Sequence, residues 1–344
     1  MKVGILTGGG DCPGLNAVIR GVVTRGLQFG YEFTGIRDGW KGLVESITVE
    51  LTNKDVSNIL PLGGTILGTS RTNPFKHEGD VEKVIANLKA LSIDALVCIG
   101  GDDTLGVASK LFDRGIKTVG VPKTIDNDLS GTDTTFGFDT AVSIVSEALD
   151  RLHTTAESHH RAMVVEVMGR NAGWIAFHGG LAGSADVILI PERPFDMDEV
   201  CAHVDKESRE KCGKTSSLIV VAEGATPKGA DKLVTQAKGV DAFGHVRLGG
   251  IGEYVAGQIE EKTGIETRSV VLGHLQRGGT PTAYDRVLAT RYGVKAIEMV
   301  KGGSFGNMAA LRGGDIKEVS LHEATGTNKT VDMELFKVAE VFFG

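Results

Sequence analysis

The sequence predicts an α/β fold of two doubly wound, Rossmann-like domains with mainly parallel sheets. Short apolar runs, each long enough for one buried strand, alternate along the chain with longer stretches of helical period. The runs are continuously apolar, which is typical of strands covered by helices on both faces of a sheet. The chain has 344 residues, about the length of two domains.

The predicted elements follow one another from the first residues onward. Strands rich in Val and Ile are expected at 3–6, 94–100, 118–122, 162–169, 185–191 and 216–224. Helices with apolar residues three or four apart are expected at 14–30, 104–115, 141–158 and 251–264. Residues 225–250 are polar and rich in glycine; they form either a surface loop or a segment that lines the site through Gly249 and Gly250.

Composition excludes several classes of protein. The 48 glycines are roughly twice average usage, but they lack the period of collagen and accompany too many aliphatic residues for a disordered linker. A formal net charge of −7 argues against a nucleic-acid partner. No apolar stretch is long enough to cross a membrane, and the first residues do not resemble a signal peptide. Four cysteines without a CxxC pair are expected to be free thiols, so we predict a cytoplasmic protein.

Glycines and polar residues cluster where the predicted strands end. In a doubly wound sheet, ligands bind just beyond the carboxyl ends of the strands. The segments at those ends are 7–16, 100–104, 122–129, 168–174, 222–224 and 272–279. We therefore expect the functional site to be built from these segments.

Two of these segments suit a phosphate ligand. GGGDCPG at 8–14 can present backbone N–H groups to a phosphate, although a plain tight turn between strand and helix has the same composition. GGDDT at 100–104 places Asp102 and Asp103 at a helix start beside Thr104. Adjacent carboxylates there favour a Mg²⁺ ion carried by phosphates, the alternative being that one Asp is the N-cap of the helix.

A third segment, PKTIDND at 122–128, brings one cation and two carboxylates together. In an extended segment, Asp126 and Asp128 point to the same side. One carboxylate can then contact a metal ion while the other accepts a proton from a hydroxyl, with Lys123 beside them. A solvated surface turn would also account for this composition.

Six segments together resemble the phosphofructokinase family over nearly the whole chain. In chain order they are GGDCPGLNAVIR, GGDDT, PKTIDND, SHHRAMVVEVMGR, the AEG turn and ETRSVVLGHLQRGG. The resemblance implies a donor domain of residues 1–137 and 276–326, a sugar domain of residues 138–275 and 327–344, and an active site in the cleft between them. It also implies phosphoryl transfer to the 1-hydroxyl of fructose 6-phosphate, with Mg²⁺ as cofactor.

The resemblance assigns roles to individual residues. Asp126 matches the general base, and Asp102 matches the Mg²⁺ carboxylate, with Asp128 close by. The residues implied in catalysis are Asp126, Lys123, Asp103, Thr124 and Arg170, and those implied in donor binding are Gly10, Arg71, Asp103, Thr104 and Lys123. The residues implied in sugar-phosphate binding are Thr124, Ile125, Asp126, Arg161, Met168, Gly169, Arg170, Glu223, Arg268, His274, Leu275, Gln276 and Arg277. In the family, Arg161 and Arg268 complete a neighbouring subunit's site, which implies a homodimer or homotetramer.

Two departures from the family's ATP-using pattern bear on the phosphoryl donor. ATP-dependent bacterial members typically read GGDGS and PGTIDND, whereas this chain has Asp103 and Lys123 at the two glycine positions. The Asp103 side chain fills space for a nucleotide, and at ~4 Å and an effective dielectric near 20 its charge repels a further phosphate by about 4 kcal/mol. The pair resembles the pyrophosphate-dependent branch. That branch reversibly converts pyrophosphate and fructose 6-phosphate to phosphate and fructose 1,6-bisphosphate, in glycolysis or gluconeogenesis.

Three alternatives stay open, each with a feature that separates it. An ATP-dependent 6-phosphofructokinase differs only in the donor. A kinase acting on NAD or a lipid shares a turn like GGDDT but lacks the other segments. An inactive sugar-phosphate sensor would lack Asp126 or Asp102, and both are present.

The family's effector positions have lost most of their cations. They hold Arg20, Thr24, His153, Cys212, Lys214 and Ser216. Too little positive charge is left to bind a nucleotide diphosphate well. We therefore predict no strong control by ADP or phosphoenolpyruvate.

Overall fold

Two main sheets of different size organise the chain. The computed structural model describes residues 1–210, 216–230, 235–240 and 246–342. The strands are β1 (Lys2–Thr7), β2 (Glu32–Ile36), β3 (Thr48–Leu51), β4 (Ala95–Gly100), β5 (Thr118–Pro122), β6 (Ala162–Val167), β7 (Val187–Leu189), β8 (Ser217–Ala222), β9 (Thr235–Val240), β10 (Val246–Leu248), β11 (Thr267–Val271), β12 (Asn307–Arg312) and β13 (Asp315–Ser320). The α-helices are α1 (Leu15–Leu27), α2 (Trp40–Glu45), α3 (Asn53–Val56), α4 (Asp80–Ala90), α5 (Asp102–Phe112), α6 (Phe138–His159), α7 (Trp174–Ala182), α8 (Met197–Glu210), α9 (Ile251–Thr263), α10 (Ala283–Gly302), α11 (Leu321–Ala324) and α12 (Met333–Glu340). A short 3-10 helix, Gly273–Arg277, lies between β11 and α10.

The larger sheet has seven strands in the order β13-β12-β5-β4-β1-β2-β3. Neighbours from β12 to β2 are parallel, and the edge strands β13 and β3 run antiparallel to theirs. Because the strand order reverses between β1 and β4, a crevice forms at the carboxyl ends of these strands, where doubly wound sheets bind ligands.

The smaller sheet has four strands, all parallel, in the order β11-β6-β8-β7. The prediction of a doubly wound α/β fold with mainly parallel sheets is therefore confirmed. A separate antiparallel pair, β9 and β10, lies within residues 225–250. Of that segment, residues 231–234 and 241–245 lie outside the described residues.

One apolar core runs through both sheets. It includes Ile5 of β1, Val145 of α6 and Val165 of β6, all fully buried. Helices α1 and α10 pack so closely that a Cβ on Gly21 would lie 2.9 Å from the carbonyl oxygen of Thr290. This shared core holds the two sheets together beneath the crevice. Among the described residues, no helix combines the length and apolarity needed to cross a membrane.

Several element boundaries differ from the predictions, among them those of β6, β7 and α6. The strand predicted at 162–169 ends at Val167, because Gly169 takes a φ of 144° that leaves the strand conformation. The run at 185–191 contributes only Val187–Leu189 to the sheet. The helix predicted from residue 141 begins at Phe138, directly after Gly137 with a φ of 93°.

Candidate active site

A polar pocket opens at the carboxyl ends of β1, β4 and β5. It is lined by Gly9, Gly10, Arg71, Gly101, Asp102, Asp103, Thr104, Lys123, Thr124, Asp126, Asp128, Arg170, Asn171, Arg277 and Asn328. Every residue predicted to bind the donor or the metal ion therefore lies in one pocket. We call it the polar pocket.

The loop after β1 is fitted closely to Arg277. The Arg277 Nη1 atom donates a hydrogen bond to the carbonyl oxygen of Asp11 (3.2 Å). Gly10 lies directly against the Arg277 guanidinium, so a Cβ there would require the end of that side chain to move. Glycine at this position therefore allows an arginine from the distant 3-10 helix to enter the polar pocket.

The segment that carries Arg71 is tied to the same loop. The Gly9 N–H donates to the carbonyl oxygen of Ser70 (3.2 Å), and the Thr69 hydroxyl donates to that of Gly9 (2.6 Å). These bonds bring Arg71 to the pocket. Arg71 does not follow a predicted strand, unlike the other segments expected at the site.

The GGDDT segment starts α5, as predicted, but with Gly101 as its N-cap. Asp102 and Asp103 occupy the first turn, so neither serves as the cap. A Cβ on Gly8 would lie 2.6 Å from the Thr104 hydroxyl oxygen, and one on Gly100 would collide with the same side chain. These two glycines therefore make room for buried Thr104.

The PKTIDND segment is a turn and lacks the extended geometry assumed from the sequence. Asn127 takes a φ of 52°, in the left-handed region that asparagine tolerates better than most residues. Its Oδ1 atom accepts a hydrogen bond from the N–H of Thr135 (3.1 Å). The carboxylates of Asp126 and Asp128 still line the same pocket, because the turn places them there.

Asp126 is a buried carboxylate with an unused acceptor. Asp126 is 5% exposed, and its Oδ1 atom has no hydrogen-bond partner among the described residues. The backbone N–H of Asp126 donates to the Thr124 hydroxyl (3.0 Å), which fixes the start of the turn. An acceptor held in this way suits a hydroxyl group of a ligand.

Lys123 beside Asp126 is buried, and Asp128 is half-buried. Burial raises the pKa of Asp128 to about 7, with Asp126 adding to the rise. Lys123 is 3% exposed, and burial lowers the pKa of its ammonium. A cation entering this pocket would relieve the repulsion between the two carboxylates.

A second pocket lies next to Arg170, beyond the ends of β6 and β8. It is lined by Glu166, Val167, Met168, Glu223, Leu248, Val271, Gly273 and His274. Glu223 Oε1 accepts a hydrogen bond from the Arg170 N–H (3.1 Å), and burial raises the pKa of the Glu223 carboxyl. The segments predicted to bind the sugar phosphate thus converge here.

Some residues predicted to bind the sugar lie outside both pockets. Ile125 is fully buried in the apolar core, and Leu275 is 68% exposed. Gln276 is buried, where its Oε1 atom accepts from the Met168 N–H (3.3 Å) and its Nε2 atom donates to the Gly273 carbonyl (3.1 Å). Gln276 therefore supports the backbone around the second pocket.

Arg161 lies directly before the inner strand β6, and Arg268 lies in β11, an edge strand of the smaller sheet. Both form ion pairs with Glu266, at 3.2 Å and 2.6 Å. Neither lines the polar pocket or the second pocket. Half of the Arg268 side chain is exposed.

Several lining residues were not predicted. Asn171 lies within the segment 168–174 that sequence analysis placed at a strand end, so its position was the available signal. Glu166 accepts hydrogen bonds from the N–H groups of Gly250 and Gly252 and so holds the start of α9. Asn328 lies far along the chain in a segment with no recognisable motif, and no sequence signal pointed to it.

Comparisons with known proteins identify the family of this chain. A profile of the phosphofructokinase family matches residues 2–300. The solved phosphofructokinase of Saccharomyces cerevisiae superimposes with a TM-score of 0.82 at 33% identity, over 99% of this chain and 46% of the yeast chain. The chain thus spans less than half the length of that yeast chain. This chain of 344 residues belongs to the phosphofructokinase family.

Relatives of similar length carry two kinds of name. A Streptomyces coelicolor protein named pyrophosphate–fructose 6-phosphate 1-phosphotransferase is 59% identical over 346 residues, which cover 100% of both chains. An ATP-dependent 6-phosphofructokinase 3 of the same organism is 53% identical over 341 residues, which cover 99% of both.

Proposed function

We propose that this protein is a pyrophosphate-dependent 6-phosphofructokinase, which transfers a phosphoryl group reversibly from pyrophosphate to the 1-hydroxyl of fructose 6-phosphate. The carboxylate of Asp103 on the wall of the polar pocket is the observation that carries the choice of donor. A carboxylate there opposes the additional phosphate of ATP, whereas buried Lys123 suits a short, highly charged donor. The higher identity to the relative named for pyrophosphate than to the one named for ATP supports the same choice.

Asp126 acts as the general base in this proposal. The 1-hydroxyl of the sugar donates its hydrogen to Asp126 Oδ1, the unused acceptor of the turn. As the oxygen bonds to phosphorus, the proton passes to the carboxylate and the bond to the departing phosphate breaks. Lys123 and Arg71 neutralise negative charge on the donor, and Thr124 and Arg170 orient the reacting groups.

The residues that would hold Mg²⁺ are Asp102 and Asp128. Among the described residues, no three or more His, Cys, Asp or Glu side chains are arranged to bind a metal ion by themselves. Two carboxylates fit an ion that takes its remaining ligands from phosphate and water, as Mg²⁺ does. When bound, the ion would neutralise charge on the pyrophosphate oxygens.

The sugar phosphate would occupy the second pocket and extend toward Arg277. Glu223, with Met168 and Gly169, would contact the sugar, while His274 and Arg277 would contact its 6-phosphate. Arg161 and Arg268 lie outside both pockets, which supports their acting in a neighbouring subunit of a homodimer or homotetramer. The division into a donor domain (1–137, 276–326) and a sugar domain (138–275, 327–344) is part of this proposal.

We further propose a cytoplasmic enzyme without strong effector control. Cys12, Cys98 and Cys201 are free and buried, which suits a reducing compartment. Of the effector positions, Cys212 and Lys214 lie outside the described residues. The prediction about ADP and phosphoenolpyruvate therefore still depends on the sequence.

The experiment that tests the donor compares pyrophosphate with ATP in a coupled assay. We expect formation of fructose 1,6-bisphosphate from Mg²⁺, fructose 6-phosphate and pyrophosphate, and no comparable rate with ATP. Turnover with ATP but not with pyrophosphate would reject the proposed donor while leaving the protein a phosphofructokinase.

Replacing Asp103 by glycine is expected to raise the use of ATP. The change removes a like charge from the donor side and opens space, so the ratio of kcat/KM for ATP to that for pyrophosphate should rise at least about tenfold. Asp113→Gly at the opposite end of α5 is the control and should leave the ratio unchanged. A ratio in Asp103→Gly equal to that of the parent enzyme would contradict the steric and electrostatic argument.

A further inference from the structure

A short segment near the C-terminus crosses the turn that carries Asp126 and Asp128. We call residues 327–331 the strap. The Lys329 N–H donates to the carbonyl oxygen of Asp128 (2.8 Å), and the Ser130 hydroxyl donates to that of Thr327 (2.6 Å). Asn328 pairs with Leu129 in an isolated antiparallel bridge and also lines the polar pocket. Residues 327–329 of the strap therefore lie against the backbone at residues 128–130.

The ammonium of Lys329 donates to three acceptors in and just after this turn. Its Nζ atom donates to Asn127 Oδ1 (3.0 Å) and to the carbonyl oxygens of Thr132 (3.0 Å) and Asp133 (2.8 Å). Asn127 is the residue whose left-handed backbone turns the chain between the two carboxylates. One side chain thus ties Asn127 to residues 132–133, which follow the turn.

The other side of the strap contacts the segment that supplies Arg170. The Trp174 indole Nε1–H donates to the carbonyl oxygen of Lys329 (2.9 Å). Glu192 accepts hydrogen bonds from the N–H groups of Val331 (2.9 Å) and Gly173 (2.9 Å), and Gly173 is the residue before α7. The strap therefore connects the Asp126 turn with the loop between β6 and α7, which contributes Arg170 and Asn171 to the polar pocket.

Building on the proposed function, we propose that Lys329 is a positioning residue for phosphoryl transfer, which sets Asp126 and Asp128 relative to Arg170. Lys329 itself does not line the polar pocket, so it acts through the turn. Removing its ammonium leaves three acceptors without their common donor, and the turn then shifts. A displacement of about 1 Å of a reacting group can cost about 100-fold in rate.

The test compares two lysine substitutions in the full-length enzyme. Lys329→Met keeps the length of the side chain and removes its donors. Lys337→Met makes the same change on α12, where the exposed lysine pairs with Glu334 (2.7 Å). We expect Lys329→Met to lose about 10–100-fold in kcat with KM for fructose 6-phosphate within about threefold of the parent value. Hydrogen exchange of amides in residues 124–135 should become faster in Lys329→Met, and Lys337→Met should change none of these quantities.

A folded Lys329→Met enzyme whose kcat lies within about twofold of the parent value would overturn the proposal. A lower melting temperature with unchanged kcat would also overturn it, because that result describes a purely structural role. If Lys329→Met does not fold, Lys329→Gln takes its place, because a shorter side chain with two donors cannot reach all three acceptors. A kcat at least about tenfold below the parent value together with faster amide exchange in residues 124–135 supports the proposal, and a kcat within about twofold of the parent value with unchanged exchange overturns it. The assay uses whichever donor the parent enzyme accepts, so turnover with ATP alone would reject the proposed donor without affecting this comparison.

Discussion

Replacing Asp126 by asparagine is expected to lower kcat by about 10²–10⁴-fold, the contribution typical of a general base. Asparagine keeps the shape of the side chain, so KM for fructose 6-phosphate should stay within about threefold of the parent value. The physical reason is that Asp126 Oδ1 is buried with no hydrogen-bond partner among the described residues, whereas an amide in its place cannot accept the hydroxyl proton. Steady-state kinetics in the direction of fructose 1,6-bisphosphate synthesis measures both constants.

Asp150→Asn on α6 is the matched control for this change. Asp150 is exposed and lies outside the polar pocket and the second pocket, so its kinetic constants should equal those of the parent enzyme. A near-parental kcat for Asp126→Asn would exclude Asp126 as the base. Loss of activity in both variants would instead indicate a general effect of removing negative charge.

Replacing Lys123 by methionine is expected to reduce kcat/KM for pyrophosphate by about 100-fold. Truncating one partner of a buried charge pair typically costs about 2–5 kcal/mol. Lys123 is 3% exposed in the polar pocket, where a multiply charged donor would be its partner. The loss should appear mainly in the constants for pyrophosphate, because the proposal places Lys123 at the donor and the sugar in the second pocket.

Lys117→Met provides the control at the opposite end of the same strand, β5. Lys117 is exposed and its ammonium lies 5.6 Å from the centre of the Phe305 ring, away from the pocket. Its substitution should leave kcat/KM for pyrophosphate unchanged. Unchanged pyrophosphate kinetics in Lys123→Met would remove Lys123 from the donor site.

The candidate site was predictable from the sequence where a motif follows a strand. Lys123, Asp126 and Asp128 line one pocket, as expected from their position after a buried run. The backbone geometry differs from the predicted one. The segment was expected to be extended, but it turns at Asn127, whose backbone is left-handed. Residue types and their spacing predicted which side chains share the pocket, whereas the backbone path depended on contacts that the motif does not contain.

The glycines divide in the same way. Their clustering at strand ends was evident from the sequence and located the crevice. The reason for glycine at each position was not evident from the sequence. Gly8 and Gly100 accommodate Thr104, while Gly10 accommodates Arg277. A glycine in a motif indicates a close approach, but the approaching group is known only once the chain has folded.

The sequence by itself determined the fold class and the segments that meet at the strand ends. These properties depend on local periodicity and on motifs of a few residues, and each is complete within its own stretch of chain. The tertiary structure alone decided which distant groups join them. Lys329 reaches Asn127 from 202 positions away, and Arg277 reaches Asp11 from 266. No local pattern specifies such pairs. The local sequence around a lysine or arginine does not show whether its side chain will stay in water or contact a buried turn.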